Sequence, residues 1–151
     1  MCIRDRYGTI ESQLEYEYDE NRIKEERIYN GEELDVTLRF LYNSEGKEVE
    51  RREYNNQGKL NQIESNHYDL NGNLIERNTK DFFEEFEVKD IFVFNKKNVM
   101  INSKSFSNGT LIFENVCEYD DLNRIKKEHV HEKYIDGSYL SVYCILHEYI
   151  D

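Results

Sequence analysis

Residues 54–75 of this 151-residue chain read YNNQGKLNQIESNHYDLNGNLI and hold one phrase twice. Tyr54-Asn55, two loose residues and Gly58-Lys59-Leu60 are followed by Tyr68-Asp69, two loose residues and Gly72-Asn73-Leu74. An aromatic suits the end of a pleated strand. Asn and Asp bond the backbone two residues on, and Gly accepts a left-handed backbone. Each copy therefore reads as the end of one β-strand, a tight turn and the start of the next strand.

Weaker copies begin at Tyr18, Tyr29, Tyr42, Phe94, Phe106, Tyr119 and Tyr134, at a spacing of about 13 residues that equals one strand plus one turn. Asn30-Gly31, Asn108-Gly109 and Asp136-Gly137 read as two-residue hairpin loops, because type I′ turns need positive φ at both positions. The first loop would set Tyr29 against Glu32, Arg27 against Leu34, Glu25 against Val36 and Ile23 against Leu38. Leu34, Val36, Leu38 and Phe40 would share one face, and Asp35, Thr37 and Arg39 the other. The second loop would gather Phe106, Met100, Leu111, Phe113, Cys117 and Tyr119 on one face. Residues 82–94 carry no turn dipeptide and read as one long strand, two strands joined through Lys89-Asp90, or a short helix over Asp81–Val88. Asn61–His67 and Glu48–Tyr54 are too polar to hold a sheet without neighbours. Tyr139–Tyr149 is apolar on both faces, as a central or covered strand would be.

Hydrophobic residues make up 38 % of the chain, with 12 Tyr, 8 Phe, no Trp and no Pro. That is below the roughly 45–50 % usual for globular domains, so a thin structure is expected. The net charge of −12 would repel phosphate backbones and anionic membranes, which excludes nucleic acid as a partner. It also keeps an edge-rich sheet soluble, and it would attract a cationic partner or Ca²⁺. No apolar run approaches the roughly 20 residues that span a bilayer.

Met1-Cys2-Ile3-Arg4-Asp5-Arg6 fits no phrase. It resembles the translation of a transposase-end adapter used in sequencing libraries and is expected to be an artefact. Residues 7–151 then form a single β-repeat domain. Glu148-Tyr149-Ile150-Asp151 resembles the opening of another phrase, so the natural protein is expected to extend beyond both ends.

The phrases resemble YD repeats, the units of Rhs-type bacterial surface and secreted proteins. Their phrase runs approximately Tyr-Asp-x-x-Gly-Asn/Arg-Leu. Tyr68–Leu74 matches throughout; Tyr54–Leu60 and Tyr119–Ile125 match with Asn55 for Asp and Asn123 for Gly. Tyr18, Tyr42 and Phe94 depart by a shift or a substitution. Similar strand–turn repeats occur in MORN-variant proteins, but 7 Gly are too few for a regular array of that kind. The resemblance implies a long antiparallel sheet that spirals into a shell or strip, and it carries over no catalytic residue.

Candidate chemistry is sparse. Cys117 and Cys144 are expected to be free thiols: Cys117 would face Lys126 and Cys144 would face His129, which leaves them two strands apart. His129 and His131, with Cys144, form a weak ligand set, and His147 falls on the other face. Asp69-Leu70-Asn71-Gly72-Asn73 looks like a piece of a calcium loop, but it lacks the distal Glu, so the turn reading is preferred and calcium is not expected. Glu84-Glu85 and Glu25-Glu26 would point to opposite strand faces and cannot act as a dyad. No Gly-rich phosphate loop opens a helix.

The expected fold is all-β, an antiparallel meander of about ten strands, as an open curled single sheet or partial shell. No catalytic, cofactor-binding or metal site is expected. The expected function is a non-enzymatic structural or binding segment of a larger cell-surface or secreted protein, whose partner is another protein or flanking domains of its own chain. The alternative is an acidic immunity protein that neutralises a cationic toxin. A sugar-binding sheet of exposed Tyr residues is a third.

Overall fold

The computed structural model describes residues 2–4, 10–133 and 139–147. The protein is all-β. Its strands are β1 (Cys2–Arg4), β2 (Ile10–Asp19), β3 (Arg22–Asn30), β4 (Glu33–Tyr42), β5 (Glu48–Asn55), β6 (Leu60–Tyr68), β7 (Leu74–Asp81), β8 (Phe86–Phe94), β9 (Met100–Ser107), β10 (Thr110–Tyr119), β11 (Ile125–Lys133) and β12 (Tyr139–Leu146). Strand order in the sheet is chain order, an antiparallel meander. Two of the twelve strands exceed the expected ten. Cys2–Arg4, assigned to the artefact, pairs with β2, and a turn at residues 82–85, where no turn dipeptide stands, separates β7 from β8. The chain forms two compact units, Met1–Ser65 with Lys80–Glu85, and Asn66–Thr79 with Phe86–Asp151.

In the first unit, Asn30-Gly31 lies at a reversal, but the turn is Gly31-Glu32, with Asn30 opposite Glu33. A bulge at Asp35 then places Val36 opposite Ile28, Thr37 opposite Arg27 and Leu38 opposite Glu26. The expected pairs Glu25–Val36 and Arg27–Leu34 do not form. The shifted turn and the bulge together move the partner of Val36 by three residues, from the charged Glu25 to Ile28, so an apolar pair decides the register. Leu14 pairs with Ile28 in turn, which gives an aliphatic stripe across three strands. The expected alternation along β4 holds: Leu34, Val36, Leu38 and Phe40 are half-buried, whereas Asp35, Arg39 and Leu41 are exposed. Thr37 is the exception on the polar face and is buried.

That polar face is an ion-pair lattice. Glu25 is buried and accepts bonds from Arg39 Nε at 2.8 Å and from Arg27. Burial pushes its carboxyl up, but the two guanidinium groups outweigh burial and hold it below the usual carboxylate range. Arg39 also lies over the Tyr54 ring, 5.0 Å from its centroid.

In the second unit, Asn108-Gly109 is a two-residue loop with φ of 46° and 80°, as its sequence predicts. A bulge at Ile112 then sets Leu111 against Phe106 but Phe113 against Ser105. Phe113 and Cys117 therefore leave the face of Phe106 and Leu111, contrary to the expected grouping. The buried apolar residues among those described are Cys117 and Val130, so the core is as thin as the composition predicts.

Asp81 replaces the helix considered for residues 81–88. Its Oδ1 accepts the N–H groups of Phe83 and Glu84, and Glu85 turns the chain at φ 55°. Glu84 and Glu85 thus lie in a turn, not on a strand. β8 runs unbroken through Lys89-Asp90. The third hairpin, Asp136-Gly137, lies outside the described residues, as do Tyr134 and the Glu148–Asp151 phrase.

Candidate functional site

Among the described residues the repeat phrase builds one loop five times. Asn43, Asn55, Asp69, Asn95 and Asp120 each donate a backbone N–H to the carbonyl four residues on and accept from the N–H three residues on. Each side chain also accepts the N–H groups at positions two and four beyond it. The fourth residue of every loop is left-handed: Gly46, Gly58, Gly72, Asn98 and Asn123, with φ between 59° and 84°. Gly or Asn there is a steric requirement.

In the second unit the loops at Asp69, Asn95 and Asp120 lie at one end of the strands. They are bridged by Asn73 Nδ2 to Asn98 at 3.3 Å and Lys97 Nζ to Asn123 at 3.4 Å. Both carboxylate oxygens of Asp69 are taken by Asn71 and Asn73. The fragment that looks like a calcium loop is therefore a turn. Tyrosines before the loops brace neighbouring strands. Tyr42 Oη donates to the Ile23 carbonyl at 2.9 Å, and Tyr119 Oη donates to that of Met100.

The β2–β3 turn breaks the pattern, since only Glu20-Asn21 link the strands, with Glu20 at φ 53°. This short turn stands beside the five-residue Asn43 loop and leaves a groove of about 300 Å³ lined by Asp19, Glu20, Arg22, Lys24, Phe40, Leu41 and Tyr42. The Arg22 guanidinium lies 5.8 Å from the Tyr42 centroid. It also presses on Gly46, where a Cβ would sit 2.8 Å from Nη2. Lys24 is tied to Glu17 at 2.9 Å. Two cations, two carboxylates and three apolar side chains can hold a ligand with charged and apolar parts. Sequence reasoning missed this groove. Its signal was the loop shorter by three residues at Tyr18.

A second polar cluster lies on the Cys117 face of the second unit. The Asp120 loop and a bulge at Lys126 set Cys117 opposite Glu128, not Lys126 as expected. Glu128 accepts from Asn115 Nδ2 at 3.1 Å and meets His147 Nε2 at 2.7 Å. Asn115 Nδ2 lies 3.6 Å from Cys117 Sγ. Burial, and then the Glu128 charge, push the Cys117 thiol up, the opposite of what a nucleophile needs.

Cys144 does face His129. His129 Nε2 is engaged by Glu118 at 3.1 Å, and no His/Cys/carboxylate group suited to a metal occurs among the described residues. Cys117 and Cys144 are free, as expected; Cys117 is buried and Cys144 exposed. Among the described residues no helix is long and apolar enough to cross a membrane.

No family model matches the sequence, and no curated protein matches it. Among solved structures the chain is similar to a protein of unknown function from Bacteroides fragilis NCTC 9343, with TM-score 0.30 and 9 % identity, over 93 % of this chain and 94 % of that one. So low a score carries no argument about chemistry.

Proposed function

We propose that the chain is a non-enzymatic structural and binding segment of a larger, YD-repeat-like protein of the bacterial surface or secreted fraction. One observation carries the reading: the same Asn/Asp loop joins successive strands again and again, with its polar side chains spent on the backbone. Residues committed to holding turns are unavailable for catalysis. Binding falls to what departs from the repeat, above all the Arg22–Tyr42 groove. A protein or peptide carrying both charged and apolar groups is the matching partner class.

The acidic immunity reading is the second proposal, favoured by the net charge of −12. It would use broad charge complementarity to a cationic toxin. An antibody against this chain separates the two in source cells. A polypeptide far larger than 18.3 kDa at the surface or in the medium is the expected result. A small cytosolic product would sink the first proposal and favour the second.

A further inference from the structure

Resting on the binding role given above to the Arg22–Tyr42 groove, we propose that Arg22 selects the occupant, a short peptide segment in which a carboxylate and a cationic side chain flank an apolar one. Arg27, Arg39, Arg51, Arg52 and Arg124 each pair with a carboxylate. Among the described residues Arg22 pairs with none, in a chain with 32 acidic and 20 basic residues. Its guanidinium is placed instead by the Tyr42 ring, 5.8 Å from the centroid, and by Gly46, whose missing Cβ leaves it room. An arginine stacked on an aromatic keeps its planar fork of donors for a pair of oxygens, and little freedom is lost when a carboxylate arrives.

The rest of the lining supplies the opposite charge. Asp19 and Glu20 are exposed and form no ion pair among the described residues, whereas Lys24 is already tied to Glu17. Leu41, 52 % exposed, supplies the apolar part. An open cation, two open carboxylates and a bare leucine find their complements in one ligand that carries an anion, a cation and an apolar group. A phosphate in place of the carboxylate is disfavoured, because Asp19 and Glu20 repel its second charge. The volume of about 300 Å³ lies at the bottom of the roughly 300–1,000 Å³ range of small-molecule sites and is too small for a folded surface. Such sites also bury most of their ligand. A lining whose Asp19, Glu20, Arg22, Lys24 and Leu41 are all exposed cannot do so for a free amino acid. A peptide whose chain runs on past the groove meets both conditions.

NMR titration of the isotope-labelled 151-residue chain tests this with two probes, acetyl-Glu-Leu-Lys-amide and acetyl-Lys-Leu-Glu-amide. One of the two orders should shift the amide signals of Phe40, Leu41 and Tyr42. Exchanging its Glu, or its Lys, for Gln should weaken binding about two- to fivefold, the worth of one exposed ion pair. Arg22→Gln should abolish the difference between the Glu and Gln peptides, and Gly46→Ala, which displaces the guanidinium, should shrink it. Equal affinity for the Glu and Gln peptides would overturn the proposal and leave the groove a binding site. So would tighter binding of a peptide with phosphoserine for Glu, or equal binding of free leucine. Silence of Phe40, Leu41 and Tyr42 towards every probe would remove the binding role of the groove along with the proposal. Should Arg22→Gln lose the sheet circular-dichroism signal, the Glu and Gln peptides on the unaltered chain still decide.

Discussion

Gly58 and Gly46 occupy the same place in two copies of one loop, which turns a substitution at either into a controlled experiment. Gly58 sits at φ +74° with open space where a Cβ would go; Gly46 sits at φ +84° with Arg22 Nη2 at 2.8 Å. A left-handed backbone costs an L-residue about 1–2 kcal/mol. Replacing Gly also restricts the unfolded chain, which returns about 0.4–1 kcal/mol. Gly58→Ala should therefore lose about 1 kcal/mol, or roughly 2–4 °C in melting temperature for a chain of this size. Gly46→Ala suffers the same strain and must also move a guanidinium, so it should lose more. The excess stays below about 1 kcal/mol, because the displaced atoms end a flexible, solvent-facing side chain. Asn stands at this place in two loops, at φ 59° and 60°, so Gly58→Asn should fall between wild type and Gly58→Ala. Urea midpoints at constant slope measure all three. If Asn proves as costly as Ala, or Gly58→Ala costs nothing, the left-handed requirement is not what fixes the phrase.

Three further outcomes follow from the same geometry. Tyr119→Phe, which removes the donor to the Met100 carbonyl, should cost about 0.5–1.5 kcal/mol, and Tyr42→Phe about as much; no change in the urea midpoint would mean the braces are idle. Asp69 is held below its ordinary pKa first by the Asn73 side-chain amide, and Asp120 first by the Arg124 backbone N–H. Their folded values lie below the unfolded value of about 3.9, so their contribution is present above that pH and fades as pH falls through the folded values. Acid titration of the urea midpoint should show this loss, and Asp69→Asn with Asp120→Asn should flatten it; an unchanged slope argues against the carboxylates. In a Cys2→Ser background, Ellman's reagent should modify Cys144 rapidly and Cys117 only on unfolding; two fast thiols would contradict the buried position of Cys117.

The repeat was legible because its chemistry is local. An aromatic, an Asn or Asp and a left-handed Gly or Asn within five residues define the loop without reference to anything distant. Register was not legible at Asn30-Gly31, because the dipeptide marks a reversal but the apolar match of Ile28 with Val36 decides which residues oppose. The same holds at Cys117, where a five-residue loop and a bulge displaced the expected partner by two. The turn at Asp81 was hidden by its lack of Gly or Asn; Glu85 carries the positive φ there. The groove was missed because its signal, the short loop at Tyr18, matters only beside the longer loop at Asn43, which is distant in sequence. Nor does any local pattern announce that Glu25, expected opposite Val36, is the buried centre of an ion lattice with Arg27 and Arg39.

The loops at Asn43, Asp69, Asn95 and Asp120 recur every 26, 26 and 25 residues, the length of a pair of strands with their turns, and the Asn55 loop falls between the first two. Genetic slippage that adds or removes one such pair returns the chain to the same end, running in the same direction, and every later segment meets an unchanged neighbour. Gain or loss of a lone strand would reverse the polarity of everything downstream and move half the braced corners to the wrong margin. Proteins of this construction should therefore differ in length by whole pairs.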